Sequence, residues 1–219
     1  MSLASERFDH PIFCESIRRI RLLLGETGLT GVEEEVLLRL VHSSGDPGIA
    51  TLLRFSPTAC AVGLQSLASG AVILTDTAMA ASAVAPMACR TFANPVHSVL
   101  NWAPARSPAG GTRTAVGMER ALAAHPGAVV LIGSAPTALE LLLERLAPGA
   151  AGALPPPSLV IGMPVGFVGV AESKRHLAAS DLPQIRLEGS RGGAALVAAA
   201  ANALLRRAWL DRHADLSFA

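Results

Sequence analysis

Apolar positions recur with two different periods along the chain, and the change comes near residue 46. Before it, residues 14–25 and 31–43 carry apolar side chains at helical spacing, with Ile17, Ile20, Leu23 and Leu24 in one stripe and Arg18, Arg19 and Arg21 mainly elsewhere. Glu33, Glu34 and Glu35 fall in the first turn of the second helix, where negative charge complements the helix dipole, and they read as a solvated helix start. After Asp46-Pro47, short apolar runs alternate with Ala-rich helical stretches. The runs predict strands over 52–55, 72–75, 96–100, 129–133, 159–163 and 185–187. The stretches between them predict helices over 57–68, 77–84, 112–124, 136–146, 170–179 and 193–207. Such alternation implies right-handed crossovers and an α/β fold with a mostly parallel central sheet and helices on both faces. No linker divides the chain, so one domain over 1–219 is expected.

Two long tracts, 55–75 and 146–171, hold no charged residue, and with a mean hydropathy of +0.44 they invite a reading as membrane spans. Prolines and glycines interrupt both, which suits strands buried on two faces better than a spanning helix, so no membrane partner is expected. A net charge of +1, scattered Lys and Arg and only 4% aromatic residues argue against nucleic acid. Cys14, Cys60 and Cys89 form no CxxC pair and read as small buried hydrophobes in a reducing compartment. The first ten residues carry charges where a signal peptide would be apolar, which gives a cytoplasmic expectation.

In a doubly wound sheet ligands sit beyond the carboxyl ends of the strands. The stretches expected there are Thr75-Asp76, residues 133–137, 164–169 and 189–193, whose glycines let backbone amides approach an anionic group. There is no GxGxxG, GxxxxGK[ST] or GxSxG, and no His, Cys and carboxylate cluster at metal-ligand spacing, so neither cofactor nor metal is expected. Among the histidines, His42 stands apart at a helix-to-turn junction with Ser43, Ser44 and Gly45 beside it, leaving room for a ligand. By residue type it is a capping or core histidine; as an imidazole it titrates near neutral pH and is the candidate acid or base. His10, His97, His125, His176 and His213 read as structural or exposed, and Met79, Met87 and Met118 as core packing.

The wording around His42 resembles the precorrin-8X methylmutase family of corrin biosynthesis. The likeness runs through Pro11-Ile12 with Glu15-Ser16-Ile17, Arg39-Leu40-Val41-His42, Phe55-Ser56-Pro57, Leu74-Thr75-Asp76 and Gly111-Thr112-Arg113. It continues through Ile132-Gly133 with Ala135-Pro136-Thr137-Ala138-Leu139, through 161–169 with Ala171-Glu172-Ser173-Lys174, and through Arg191-Gly192-Gly193, in family order over about 11–205. The resemblance implies an isomerase that moves the methyl group at ring carbon 11 of precorrin-8X to carbon 12, giving hydrogenobyrinic acid or its cobalt analogue. It needs no redox partner and no methyl donor. It implies His42 as general acid, a tetrapyrrole as small-molecule partner, and a homodimer in which the partner chain completes the pocket. Ser16 and Arg39 match family positions expected to touch substrate. Arg113, after Thr112 at a helix start, Thr137, Gly166, Phe167, Lys174 and Arg191 are the further substrate-binding candidates. For Lys174 and Arg191 the competing reading is a surface charge or helix-end partner, and for 164–169 a structural turn.

The chain departs from the family pattern at the rim. Ser134 stands where Asn is usual, Gly111 where Thr is usual, Thr114 where Ser is usual, and Leu23 where a Glu is expected. Glu188 and Ser190 replace two arginines of a basic loop. These changes keep two alternatives open: an enzyme of the same fold acting on another tetrapyrrole or acidic small molecule, and a non-catalytic corrinoid-binding protein.

Overall fold

The computed structural model describes residues 8–147, 149–150 and 152–214. The stretch read for a leader therefore lies mostly outside the described residues, as do both ends of the 1–219 domain. Two helices come first, α1 (Pro11–Leu24) and α2 (Gly31–Ser44). Helix α1 begins before residue 14 because Pro11 suits the first turn and the His10 side chain accepts the Ile12 N–H. A 3-10 turn (Pro47–Thr51) then leads into β1 (Leu53–Phe55) and α3 (Ala59–Ala68). Next come β2 (Ile73–Thr75), α4 (Ala78–Arg90) and β3 (Val96–Ser98). After them follow α5 (Arg113–Ala124), β4 (Val129–Ile132), α6 (Pro136–Leu146) and β5 (Leu159–Gly162). The described chain closes with α7 (Val170–Ala178), β6 (Gln184–Leu187) and α8 (Ala194–Arg212).

The six strands form one sheet in the order β1-β6-β5-β4-β2-β3. All neighbours are parallel except β1, which runs antiparallel to β6 with Leu53 opposite Leu187 and Phe55 opposite Ile185. Strand alternation divides the core between the two faces. Val129 and Leu131 of β4, with Leu159 and Ile161 of β5, meet α2, α3, α4 and α8. Val130, Ile132 and Val160 point the other way, onto Met118 and Leu122 of α5, Leu139 and Leu142 of α6 and Leu177 of α7. Helices thus cover both faces, as expected.

Several local expectations change. Helix α4 continues past residue 84 and through exposed Pro86, because Ala80, Val84 and Ala88 bury one stripe at i, i+4 spacing and that packing outweighs the missing N–H. Strand β3 ends early: the Ser98 side chain accepts the Leu100 N–H and turns the chain into a 3-10 segment (Val99–Trp102). In α1, Ile20 and Leu24 pack on the core, but Leu23 faces outward, 67% exposed. Met118 is buried and Met87 packs on the core, whereas Met79 is 70% exposed. Cys14 and Cys60 are half-buried and Cys89 is exposed, so none is fully buried.

The acidic run is not a solvated helix start. Glu34 pairs with Arg21 at 2.9 Å, and Glu35 bridges Arg206 at 3.1 Å and Arg207 at 2.8 Å. Arg206 also grips Asp9 with Nε at 3.0 and 2.9 Å from the two carboxylate oxygens. This network pins α8 to α2 and to the segment entering α1, which fixes the platform on which His42 sits.

Candidate active site

His42 lies in the last turn of α2, just before Gly45, whose φ of +66° closes the helix. The ring is exposed on one side, and its Nδ1 meets the Ser16 hydroxyl of α1 at 2.7 Å. With that hydroxyl donating, the neutral ring carries its proton on Nε2; with the ring protonated, Nδ1–H donates to Ser16 and Nε2–H is left for a ligand. Phe13, one turn before Ser16, presents an edge contact to the imidazole, with centroids 5.1 Å apart and planes at 85°. The Arg39 guanidinium lies over the same phenyl ring, 4.6 Å from its centroid. Asp9, the nearby carboxylate, is held by Arg206, and Arg39 makes no hydrogen bond or ion pair among the described residues. A half-buried guanidinium whose donors meet no acceptor among the described residues can receive an anion. Burial, and then the charge of Arg39, hold the His42 imidazole below its ordinary pKa.

A chain of contacts joins this corner to the carboxyl ends of the strands. Asp46, just beyond α2, pairs with Arg191 at 3.0 Å. Arg191 belongs to the 189–193 loop after β6, which threads so close to the β5 exit that a Cβ on Gly192 would stand 1.9 Å from the Met163 carbonyl oxygen. The Gly193 N–H donates to that same oxygen and the Gly166 N–H to the Ser190 oxygen, while Val165 N–H donates to Gly133 O. Asp76, buried at the end of β2, accepts from the Ser134 N–H at 2.5 Å and the Ala135 N–H at 2.8 Å. Burial raises its pKa against the opposing pull of these amides. Thr112 caps α5, and its hydroxyl meets that of Thr137, in the first turn of α6, at 2.9 Å. Arg113 Nε donates to the Pro104 oxygen.

The candidates fall into two clusters, with Gly166, Phe167 and Lys174 outside both. Ser16, Arg39 and His42 touch or neighbour one another through Phe13, and Arg191 pairs with Asp46, four residues beyond His42 in sequence. Thr112, Arg113 and Thr137 lie together at the amino ends of α5 and α6. Gly166 and Phe167 occupy the turn between β5 and α7, where Phe167 is 94% exposed. Lys174 is inside, 2% exposed, donating to the Gly189 and Arg191 carbonyl oxygens. Phe13, Asp46 and Asp76 were not singled out as site residues; the i, i+3 spacing of Phe13 to Ser16 is the one local signal that placed Phe13 beside a candidate. Elsewhere His10 caps α1, His97 and His125 stack beside Trp102, His176 pairs with Glu140 and His213 stacks on Trp209. An open groove of about 590 Å³ runs along α1, lined by Pro11, Ile12, Glu15, Ser16, Arg19 and Ile20.

The model of one protein family, precorrin-8X methylmutase, matches residues 11–207, which include all the candidate site residues from Ser16 to Arg191. The chain belongs to that family. Among curated relatives, the cobalt-precorrin-8 methylmutase of Synechocystis is 39% identical over 93% of this chain and 98% of its own length. The precorrin-8X methylmutase of Pseudomonas aeruginosa is 43% identical over 90% of this chain and 95% of its own. A solved precorrin-8X methylmutase from Thermus thermophilus superposes with a TM-score of 0.79 at 38% identity, covering 91% of this chain and 98% of that one. The family is one of isomerases that act by methyl migration in cobalamin biosynthesis, and this chain is an isomerase of that kind. Among the described residues no group of three His, Cys, Asp or Glu could hold a metal, and no helix is long and apolar enough to cross a membrane.

Proposed function

We propose that this chain moves the methyl group at C-11 of precorrin-8X to C-12, giving hydrogenobyrinic acid, or carries out the same step on the cobalt-loaded ring, with His42 as general acid. The observation that carries the reading is the Ser16 to His42 hydrogen bond of 2.7 Å set beside an Arg39 that pairs with no group among the described residues. The reaction is an isomerisation, so a proton given to the macrocycle is matched by one returned, and a single imidazole can do both. Ser16 holds Nδ1 and leaves Nε2–H to the substrate. A well-placed general acid contributes roughly 10²- to 10⁴-fold.

Arg39 links binding to that proton. In the free chain its charge disfavours imidazolium. A substrate carboxylate on the guanidinium cancels that charge, so binding favours protonation of the acid when it is needed. Thr112, Arg113, Thr137 and Arg191, with the backbone around Gly166 and the Phe167 ring, serve the remaining carboxylates and the macrocycle edge. The relatives carry both the cobalt and the metal-free names, so the proposal takes either ring as substrate.

The reading includes a homodimer acting in the cytoplasm. Support for the dimer is the openness of the groove beside Ser16, together with apolar side chains left in solvent: Ile12 and Leu23 on α1, and Phe167 and Val168 on the 165–168 turn. A macrocycle needs walls on both faces, and a second copy of these apolar surfaces supplies the missing one.

The test is to mix the protein with precorrin-8X and follow the visible spectrum, with His42→Ala alongside. Conversion by the wild type, and binding without conversion by the variant, is the expected outcome. Undiminished turnover by His42→Ala would remove His42 from the role of acid; bound but unconverted substrate in the wild type would favour a corrinoid-binding protein or a different tetrapyrrole.

A further inference from the structure

Lys174 is a buried cation with no counter-ion among the described residues. It projects from α7 and its ammonium donates to the carbonyl oxygens of Gly189 at 2.9 Å and Arg191 at 2.6 Å. The charged groups around it are engaged elsewhere. Glu188 of the same loop pairs with Arg54, Arg191 with Asp46, and on its own helix Glu172 pairs with Arg175 and His176 with Glu140 of α6. A buried charge satisfied by neutral carbonyls alone is a weak contributor to stability, so its effect is to be sought in what it orients.

That effect is on the direction of three successive peptide planes. The carbonyls of Gly189 and Arg191 are drawn to Lys174, and the Ser190 carbonyl between them accepts the Gly166 N–H. In a trans peptide the N–H points opposite to the C=O. The amides of Ser190, Arg191 and Gly192 therefore turn away from these partners, and none of them donates to another group among the described residues. The Arg191 side chain leaves the same loop to meet Asp46, directly after the helix that bears His42.

We propose that Lys174 is a positioning residue for substrate: by holding the 189 and 191 carbonyls on its own side, it turns the loop's amides and the Arg191 guanidinium toward the carboxylates of the macrocycle. It acts through the loop, not by touching substrate. This rests on the family reading above and adds which interior group sets the anion-recognising face of the site. Burial lowers the Lys174 ammonium to about 8. It is protonated at neutral pH and loses its charge as pH rises through that value, loosening the loop while substrate carboxylates stay ionised.

Two measurements test this, one without ligand. Amide hydrogen exchange of residues 189–193, corrected for intrinsic rates, should be faster in Lys174→Met than in the wild type at pH 7, and should accelerate in the wild type above pH 8. Equilibrium binding of hydrogenobyrinic acid should weaken about tenfold in Lys174→Met at pH 7. Wild-type affinity should fall between pH 7 and 9.5 with a midpoint near 8, and Lys174→Arg, charged throughout, should lack that midpoint. Unchanged exchange in Lys174→Met, or a midpoint that survives in Lys174→Arg, overturns the proposal; the second comparison holds even if the Met variant does not fold. Failure of the isomerase reading looks different, since the wild type would then bind no product while the exchange difference remained.

Discussion

Replacing Arg39 separates two effects of one guanidinium. In the free chain it makes no hydrogen bond or ion pair among the described residues, so its removal breaks no internal bond, and Met at this position keeps a stem over Phe13. In the proposed complex a carboxylate takes its open donors. A hydrogen bond to a charged group is worth about 1.5–3 kcal/mol net of solvation, and one such bond corresponds to about 10- to 150-fold in affinity at 1.4 kcal/mol per decade. Arg39→Met should weaken binding of hydrogenobyrinic acid by an amount in this range, and should also raise the His42 pKa, since the Arg39 charge is the second cause of its lowering after burial. Arg39→Lys keeps the charge and so the low His42 value, but loses the planar fork and part of the affinity. An imidazole acting as acid works below its pKa, so the Met variant's activity should extend to higher pH. The stability change has a definite sign too. With a folded-state pKa below the unfolded value, His42 contributes stability that is full above about pH 6.5 and lost as pH falls through the folded pKa, a loss that Arg39→Met should lessen. The assay is NMR titration of the His42 ring beside product binding followed in the visible spectrum. An identical His42 titration in wild type and Arg39→Met, or equal product affinity, would refute the coupling.

Three further outcomes are expected. Asp9→Ala leaves the Arg206 guanidinium, 14% exposed, without its main partner, and should cost about 3–5 kcal/mol in urea unfolding at pH 7; a change under about 1 kcal/mol would mean that Glu35 alone satisfies it. Ile12→Asp with Phe167→Ser should shift sedimentation of a dimer to that of a monomer and cut turnover, and a monomeric wild type would contradict the homodimer. Ser190→Arg places a cation on a loop whose backbone is already fixed from the other side, so it should tighten a polycarboxylate by up to about fivefold with a gain that fades in salt. No gain at low salt would mean that the Ser190 side chain does not face the carboxylates.

Hydrophobic period carried the fold into view because burial on two faces leaves a mark on every strand. Val129 to Ile132 read as a continuous apolar run, and the structure explains why: each residue enters one of two cores, alternately. What periodicity could not supply was the outer layer. Leu23 looks like a core residue because it is apolar and lies on a helix, but α1 rests on α2, not on the sheet, and has no fully buried residue; Met79, in the first turn of α4, also faces outward. The pairing of Ser16 with His42 crosses from one helix to another, and local spacing carries no such information; the family resemblance brought the two together. Lys174 was placed among surface or substrate-touching charges because lysine is almost never fully buried. Asp46 and Asp76 carry no sequence mark of their partners, which are a guanidinium and two amides from distant loops.

Two interior polar side chains, one an acceptor and one a donor, thus brace the rim in complementary ways. The Asp76 carboxylate consumes amides of the loop before α6, and the Lys174 ammonium consumes carbonyls of the loop before α8. The first loop is left with fewer free donors and the second with more, so the proposed anion recognition is assigned to the 189–193 side, next to Arg191. Substitutions at Ser134 and Ser190 then change side chains hung on backbones whose direction is set from within. That arrangement lets the rim's charge diverge from the family pattern without moving His42, because its platform is held separately, by Ser16 in front and by the Asp9, Arg206 and Glu35 network behind.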